Sequence, residues 1–175
     1  MRSLMMLVAL SSAPLSFASS GPETPEGRLL AKGLTLPPPT SPVAIYVTSV
    51  RSGNLLYLSG HGECGTAFTT GKVGRDLTVE QGAKSAERVG LCMLATIKAA
   101  LGDLSKVKRF VRILGMVNAT EDFKDHPKVV NGFSAVMVTA FGDAGLAVRS
   151  AVGMASLPSG IPVEIEALVE VRTEP

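Results

Sequence analysis

Over Val163–Val171 apolar residues hold every second position, and Glu164, Glu166 and Glu170 stand between them. Val163, Ile165, Ala167, Val169 and Val171 fall on one face of a strand, and Glu164, Glu166, Leu168 and Glu170 on the other. Arg149–Gly153 is also β-like. The turn signal Leu157-Pro158-Ser159-Gly160 lies between them, so the two are predicted to be neighbouring antiparallel strands. Further upstream, Tyr46–Val50 and Asn54–Ser59 are predicted as strands around a Ser52-Gly53-Asn54 turn. A long loop marked by Gly60, Gly62, Gly65 and Gly71 follows.

The period then changes. Val79, Ala83, Ala86, Gly90, Met93, Leu94, Ile97 and Leu101 recur at intervals of three and four, the stripe of a helix. Thr78-Val79-Glu80-Gln81 has the spacing of a capping box, and Gly102 supplies the C-terminal stop. A strand is predicted over Val107–Val117 and a turn at Asn118-Ala119-Thr120. Asp125 and Pro127 start a second helix with the apolar face Val130, Phe133, Val136, Met137 and Phe141, closed by Gly142. The order is strand, strand, helix, strand, helix, strand, strand, an α+β chain. Two helices can cover one face of such a sheet, so the other is either solvated or buried by partner subunits. Leu168 on the acidic face of the last strand, and the scarcity of charge in Tyr46–Val50, favour subunits.

The ends read differently. Residues 1–20 have the layout of a secretory signal peptide. Arg2 gives the positive start, Leu4–Leu10 is an apolar run too short to span a membrane, and Ser16-Phe17-Ala18 offers small residues for cleavage. A secreted or periplasmic product is expected, with an organelle or the cytoplasm as alternatives. Residues 21–42, with Pro37-Pro38-Pro39, read as a Pro/Gly-rich arm. Its Leu29, Leu30, Leu34 and Leu36 either form a short initial strand or cover an edge of the domain, which occupies 43–175.

Composition narrows the function. The chain has 175 residues, 46% of them hydrophobic, enough for one domain with a real core and too apolar for bulk disorder. Without Trp, that core must come from Val, Leu, Ile, Ala and Met. A net charge of +2 without a Lys/Arg run argues against a nucleic-acid partner. Cys64, in a loop, and Cys92, which reads as a small buried apolar residue of the first helix, lack metal-ligand spacing. A disulfide between them is left open. The chemistry that stands out is Arg149 beside Glu164 on paired strands. A fixed cation next to a carboxylate can hold an anionic substrate and handle a water or a proton. The alternative is that both charges face solvent.

Several segments together resemble the Rid family of reactive-intermediate deaminases, also called YjgF or L-PSP endoribonuclease-like proteins. They are Ser52-Gly53-Asn54-Leu55-Leu56-Tyr57-Leu58-Ser59-Gly60, Val130-Asn131-Gly132-Phe133, Arg149-Ser150-Ala151-Val152-Gly153, and Leu157-Pro158 followed by Val163-Glu164-Ile165-Glu166-Ala167. They stand in family order and spacing between about Tyr46 and Val171. Gly71-Lys72-Val73-Gly74 resembles the subgroup with longer loops. The resemblance implies a chorismate-mutase-like fold and a homotrimer whose sheets line a central barrel, with ligand clefts between adjacent subunits. It also implies hydrolysis of 2-imino acids such as 2-aminoacrylate to 2-keto acids and ammonia, with no metal or organic cofactor.

By motif, Arg149 matches the arginine that grips the substrate carboxylate, and Glu164 the carboxylate that positions the attacking water. Tyr46 matches the aromatic residue near the cleft, Ser59 the hydroxyl beside it, and Asn131 the helix asparagine that shapes the site. Packing at an interface, a turn before Gly60, and bonding to nearby backbone are the respective alternatives for these last three. His61 stands where glutamine is usual, and is either a proton shuttle or a structural loop residue. His126 reads as a cap-region residue. The Asp143-Ala144-Gly145-Leu146 loop is about one residue longer than in the studied deaminases, which leaves the substrate open. Two other functions compete: a non-catalytic trimeric binder of small carboxylates or chaperone-like module, and an endoribonuclease, which the near-neutral charge disfavours.

Overall fold

The computed structural model describes residues 23–39 and 41–173; the expected signal peptide lies outside the described residues. The two helices form where the sequence places them. Helix α2, Val79–Leu101, opens on a complete capping box: the Thr78 hydroxyl accepts from the Gln81 N–H at 3.2 Å, and the Thr78 N–H donates to the Gln81 side chain at 2.8 Å. It ends at Gly102, whose φ of 81° is the left-handed conformation that favours glycine. Helix α3, His126–Phe141, follows Asp125 and stops at Gly142.

Strands β1 (Ser49–Ser52) and β2 (Leu55–His61) form the first hairpin. With β3 (Val107–Asn118), β4 (Val148–Met154) and β5 (Val163–Val171) they make one sheet in the order β1-β2-β5-β3-β4. The helices α2 and α3 pack on a single face. Their buried stripes, including Val89, Met93, Ile97, Phe133 and Met137, meet the inward residues of β5 and Phe110 and Ile113 of β3. Each such large apolar side chain contributes on the order of 1.5–3 kcal/mol by leaving water.

The last two strands differ from the expectation of adjacent antiparallel neighbours. β4 pairs only with β3, in parallel, while β5 lies antiparallel between β2 and β3. The reason is burial. Every second residue of β5 from Val163 to Val171 is buried, which suits a central strand, whereas β4 is exposed along much of its length and suits an edge. Parallel pairing of β3 and β4 needs a crossover, which α3 provides. The segment 155–162 is then no hairpin turn but a strap across the end of β3. The Asn118 N–H donates to Pro162 O at 2.9 Å, and the Ala119 N–H to Met154 O at 3.4 Å.

The arm also differs from a strand. Pro25–Leu30 is a short helix, α1, because Thr24 caps Gly27 N at 3.0 Å and Pro25 is pre-set for a first turn. Leu29 is buried, Leu34 and Leu36 pack against the core, and Arg28 donates to Ala140 O at the end of α3. Cys92 is not a free apolar residue either. It forms a disulfide with Cys64, Cα–Cα 5.8 Å, because α2 runs beneath the glycine-rich loop. The same loop is held by Glu63, which pairs with Arg88 of α2 at 2.7 Å.

The opposite face of the sheet has no covering layer among the described residues. One register row across it reads Val50, Tyr57, Leu168, Arg112 and Val148. Val152 and Met154 lie beyond on β4, both over a third exposed. No helix among the described residues is long and apolar enough to cross a membrane.

Candidate active site in two halves

The acidic half begins at an irregularity. The β2–β5 register slips between Leu58 and His61, so β2 breaks its alternation at Ser59 and Gly60. Glu164, on the uncovered face of β5, lies over Gly60, where any Cβ would collide with Glu164 Oε1. A cavity of about 620 Å³ opens here, with Tyr46, Ser59, Phe68, Ile161, Glu164 and Glu166 among its walls. Burial, and secondarily the charge of Glu166, raise the Glu164 carboxyl above the ordinary carboxylate range. Ser59 Oγ is buried there without a hydrogen-bond partner among the described residues. Tyr46 stands on the segment before β1, 41% exposed.

His61 borders this cavity, but both its ring nitrogens are engaged within the fold. Nδ1 donates to Ser59 O at 2.7 Å, and Nε2 lies 3.0 Å from the Thr96 hydroxyl of α2. A carbonyl can only accept, so Nδ1 carries the proton. Burial lowers the ring's pKa against the opposing effect of the Ser59 carbonyl, so the imidazole is neutral and ties β2 to α2. Glu63 is likewise committed. Burial alone would raise its pKa, but hydrogen bonds led by that of Arg88 outweigh this and hold it below the ordinary value.

The cationic half lies on the other face. Arg149 pairs in register with Ile113, whose side chain is in the core, so the guanidinium rises on the helix side of edge strand β4. There Nη1 donates to Asn131 Oδ1 and to Ser134 Oγ, both at 2.9 Å, and Nη2 to Pro127 O at 3.4 Å. Nε makes no hydrogen bond to another described residue, so the Nε edge of the guanidinium remains to meet a carboxylate. Asn131 therefore holds the arginine. Ser134, which the sequence reading missed, shares this task one helical turn later; the signal was its i, i+3 spacing from Asn131. Glu166, to which the sequence pattern assigned no role, also lines the acidic cavity.

Arg149 and Glu164 do not meet within one chain. Glu164 pairs with Met116 on the uncovered face, Arg149 with Ile113 on the helix face, and β3 runs between them. The expected pairing on adjacent strands is thus corrected, and for the same reason as the topology: β5 is inserted at the centre and β4 is moved to the edge.

Among the described residues no group of three or more His, Cys, Asp or Glu is placed to hold a metal ion. The sequence profile of the family described as "YjgF/chorismate mutase-like, putative endoribonuclease" matches residues 26–168, beginning inside the arm. The chain is 39% identical over 147 residues to "Protein TCP17" of Trypanosoma cruzi, covering 80% of this chain and 89% of that one. Among solved structures it resembles protein Atu1372, of unknown function, from Agrobacterium tumefaciens. That match has 44% identity and a TM-score of 0.79 over 86% of this chain and 95% of that one. It also resembles RidA from the Antarctic bacterium Psychrobacter sp., at 27% identity and a TM-score of 0.50 over 77% and 94%. A profile match across most of the sheet and both long helices, on a five-stranded α+β fold, makes the chain a member of the YjgF/chorismate mutase-like family.

Proposed function

We propose that the protein hydrolyses reactive 2-imino acids to 2-keto acids and ammonia, in clefts formed where the Arg149 edge of one subunit meets the Glu164 cavity of the next in a homotrimer. The observation that carries the reading is Glu164: a half-buried carboxyl, raised in pKa, beside the unpartnered Ser59 hydroxyl in a cavity of about 620 Å³. Burial makes such a carboxyl a better proton acceptor than an exposed one, so it can take a proton from water and pass it on. The apolar, uncovered sheet face supports the assembly, and the open Nε edge of Arg149 supports a carboxylate ligand.

The chemistry is modest. Arg149 fixes the substrate carboxylate. A water adds to the imine carbon, giving up one proton to Glu164 as its oxygen forms the new C–O bond. Glu164 passes that proton to the nitrogen, giving the carbinolamine; it then carries the hydroxyl proton to the amine as the C=O bond forms and the C–N bond breaks, releasing ammonia. Water supplies the oxygen, and Glu164 ends as it began. Imines hydrolyse unaided in water, so positioning and one proton relay suffice.

The test is ammonia release from 2-imino acids generated in situ by an amino-acid oxidase. Arg149→Ala and Glu164→Gln subunits should each be nearly inactive alone. Refolded together at equal ratio, about a quarter of the clefts of a randomly mixed cyclic trimer pair an intact arginine with an intact glutamate, and that share of activity should return. No recovery from a confirmed mixed trimer would rule out the two-subunit site, and no activity in the unaltered protein would leave only carboxylate binding.

A further inference from the structure

His126 is the first residue of α3, and its ring lies over β4 at Gly153. A Cβ built on Gly153 would stand 2.5 Å from His126 Nε2, so the imidazole occupies the space that a side chain there would fill. Gly153 pairs with buried Val117 as Arg149 pairs with buried Ile113. Arg149, Ala151 and Gly153 therefore share one face of the edge strand. The guanidinium reaches Pro127 O, and Pro127 directly follows His126. Arginine and imidazole thus flank the same residue. Phe123 packs edge-on against the ring, with centroids 5.1 Å apart at 88°, which fixes its orientation without using its nitrogens. No hydrogen bond joins those nitrogens to another described residue. The nearby Asp125 carboxylate is taken by Lys128 at 3.1 Å.

An imidazole carries at least one N–H whatever its protonation state, so it can donate to an acceptor on a ligand. We infer that His126 is a specificity-determining contact on the Arg149 half-site. It donates to the distal acceptor of a ligand whose carboxylate sits on Arg149, so the site favours 2-oxo and 2-imino dicarboxylates over monocarboxylates of equal length. This rests on the carboxylate-binding role proposed above for Arg149.

The experiment is calorimetric binding of 2-oxoglutarate and 2-oxopentanoate, which share a five-carbon chain and differ in the distal carboxylate. The unaltered protein should bind 2-oxoglutarate roughly tenfold more tightly, the scale of one charge-assisted hydrogen bond. His126→Phe keeps a ring against Phe123 and removes the nitrogens. It should abolish the preference while leaving 2-oxopentanoate affinity within about twofold. His126→Gln should restore part of it. Gly153→Ala, which displaces the imidazole without altering it, should also erode the preference. Equal affinities in the unaltered protein, or a preference that survives His126→Phe, would overturn the assignment of His126 and leave Arg149 untouched. Undiminished binding of both ligands to Arg149→Ala would sink the reading beneath it, and so would a failure of the unaltered protein to bind either.

Discussion

The carboxylate of Glu164 rests on the bare backbone of Gly60: no side chain at position 60 could coexist with Glu164 Oε1 where it stands. The two residues lie on neighbouring strands at the break in the β2–β5 register, so the vacancy left by one glycine sets the position of the acid. The φ of Gly60 is not among the positive values, so the need for glycine here is steric and not conformational.

Gly60→Ala should therefore act through Glu164. If the acid relays a proton, displacing it by about an ångström should lower kcat by on the order of 10–100-fold, with a smaller change in KM. The thermal midpoint should move little, because the methyl enters a cavity wall and not the core. In a Glu164→Gln background the same substitution should cost almost nothing further, since both changes remove one function. Full, independent losses in the double variant would separate the glycine from the acid.

The raised pKa of Glu164 also makes a stability prediction with a definite sign. A carboxyl whose pKa is higher folded than unfolded binds protons more readily in the native state. Its stabilising contribution is present below the ordinary carboxylate pKa and is lost as pH rises through the folded value. Glu164→Gln should thus melt higher than the unaltered protein at neutral pH, with the gap closing below about pH 4. Glu166→Gln should lower the Glu164 pKa and shift the acidic limb of the kcat profile downward. A Glu164→Gln variant that melts lower at neutral pH would contradict the burial argument.

Ser134 and Asn131 should behave as supports for Arg149 and not as reacting groups. Each accepts from Nη1 at 2.9 Å. Removing either leaves the guanidinium charged but less well aimed. Ser134→Ala and Asn131→Ala are expected to raise KM several-fold with kcat nearly unchanged, as the loss of one hydrogen bond of roughly 1 kcal/mol implies. Arg149→Lys should recover only part of the binding lost in Arg149→Ala, because an ammonium cannot reproduce the fork.

The Cys64–Cys92 disulfide closes the chain between β2 and α2 and holds the loop carrying Glu63 and Phe68 at the cavity. Replacing both cysteines by alanine should cost about 2–4 kcal/mol in denaturant unfolding. The unaltered protein in strong reductant should approach the double variant. The Glu63–Arg88 pair should keep the loop near its place, so activity should fall less than stability. Identical unfolding curves with and without reductant would show that the cross-link adds nothing to stability.

By itself the sequence determined the two long helices and the order of the five strands, but not the short helix α1 of the arm, and it began the first strand at Tyr46 where β1 begins at Ser49. The Thr78 capping box, the glycine stops at Gly102 and Gly142 and the two helical stripes act over a few residues, where local hydrogen bonding and side-chain period decide the outcome. The apolar residues at every second position from Val163 to Val171 also fixed which side chains of β5 face inward, since a strand can bury only one set. Local signals did not reach the pairing of strands. The turn at Leu157–Gly160 resembles that of a hairpin, and only competition for the centre of the sheet sent β5 between β2 and β3 and left β4 at the edge. That choice decided the site. It put Arg149 and Glu164 on opposite faces, aimed His61 into the core toward Thr96, drew Ser134 to the arginine and brought Cys64 to Cys92. The last three are contacts between residues distant in sequence, set by which surfaces must leave water together, and no local pattern encodes them.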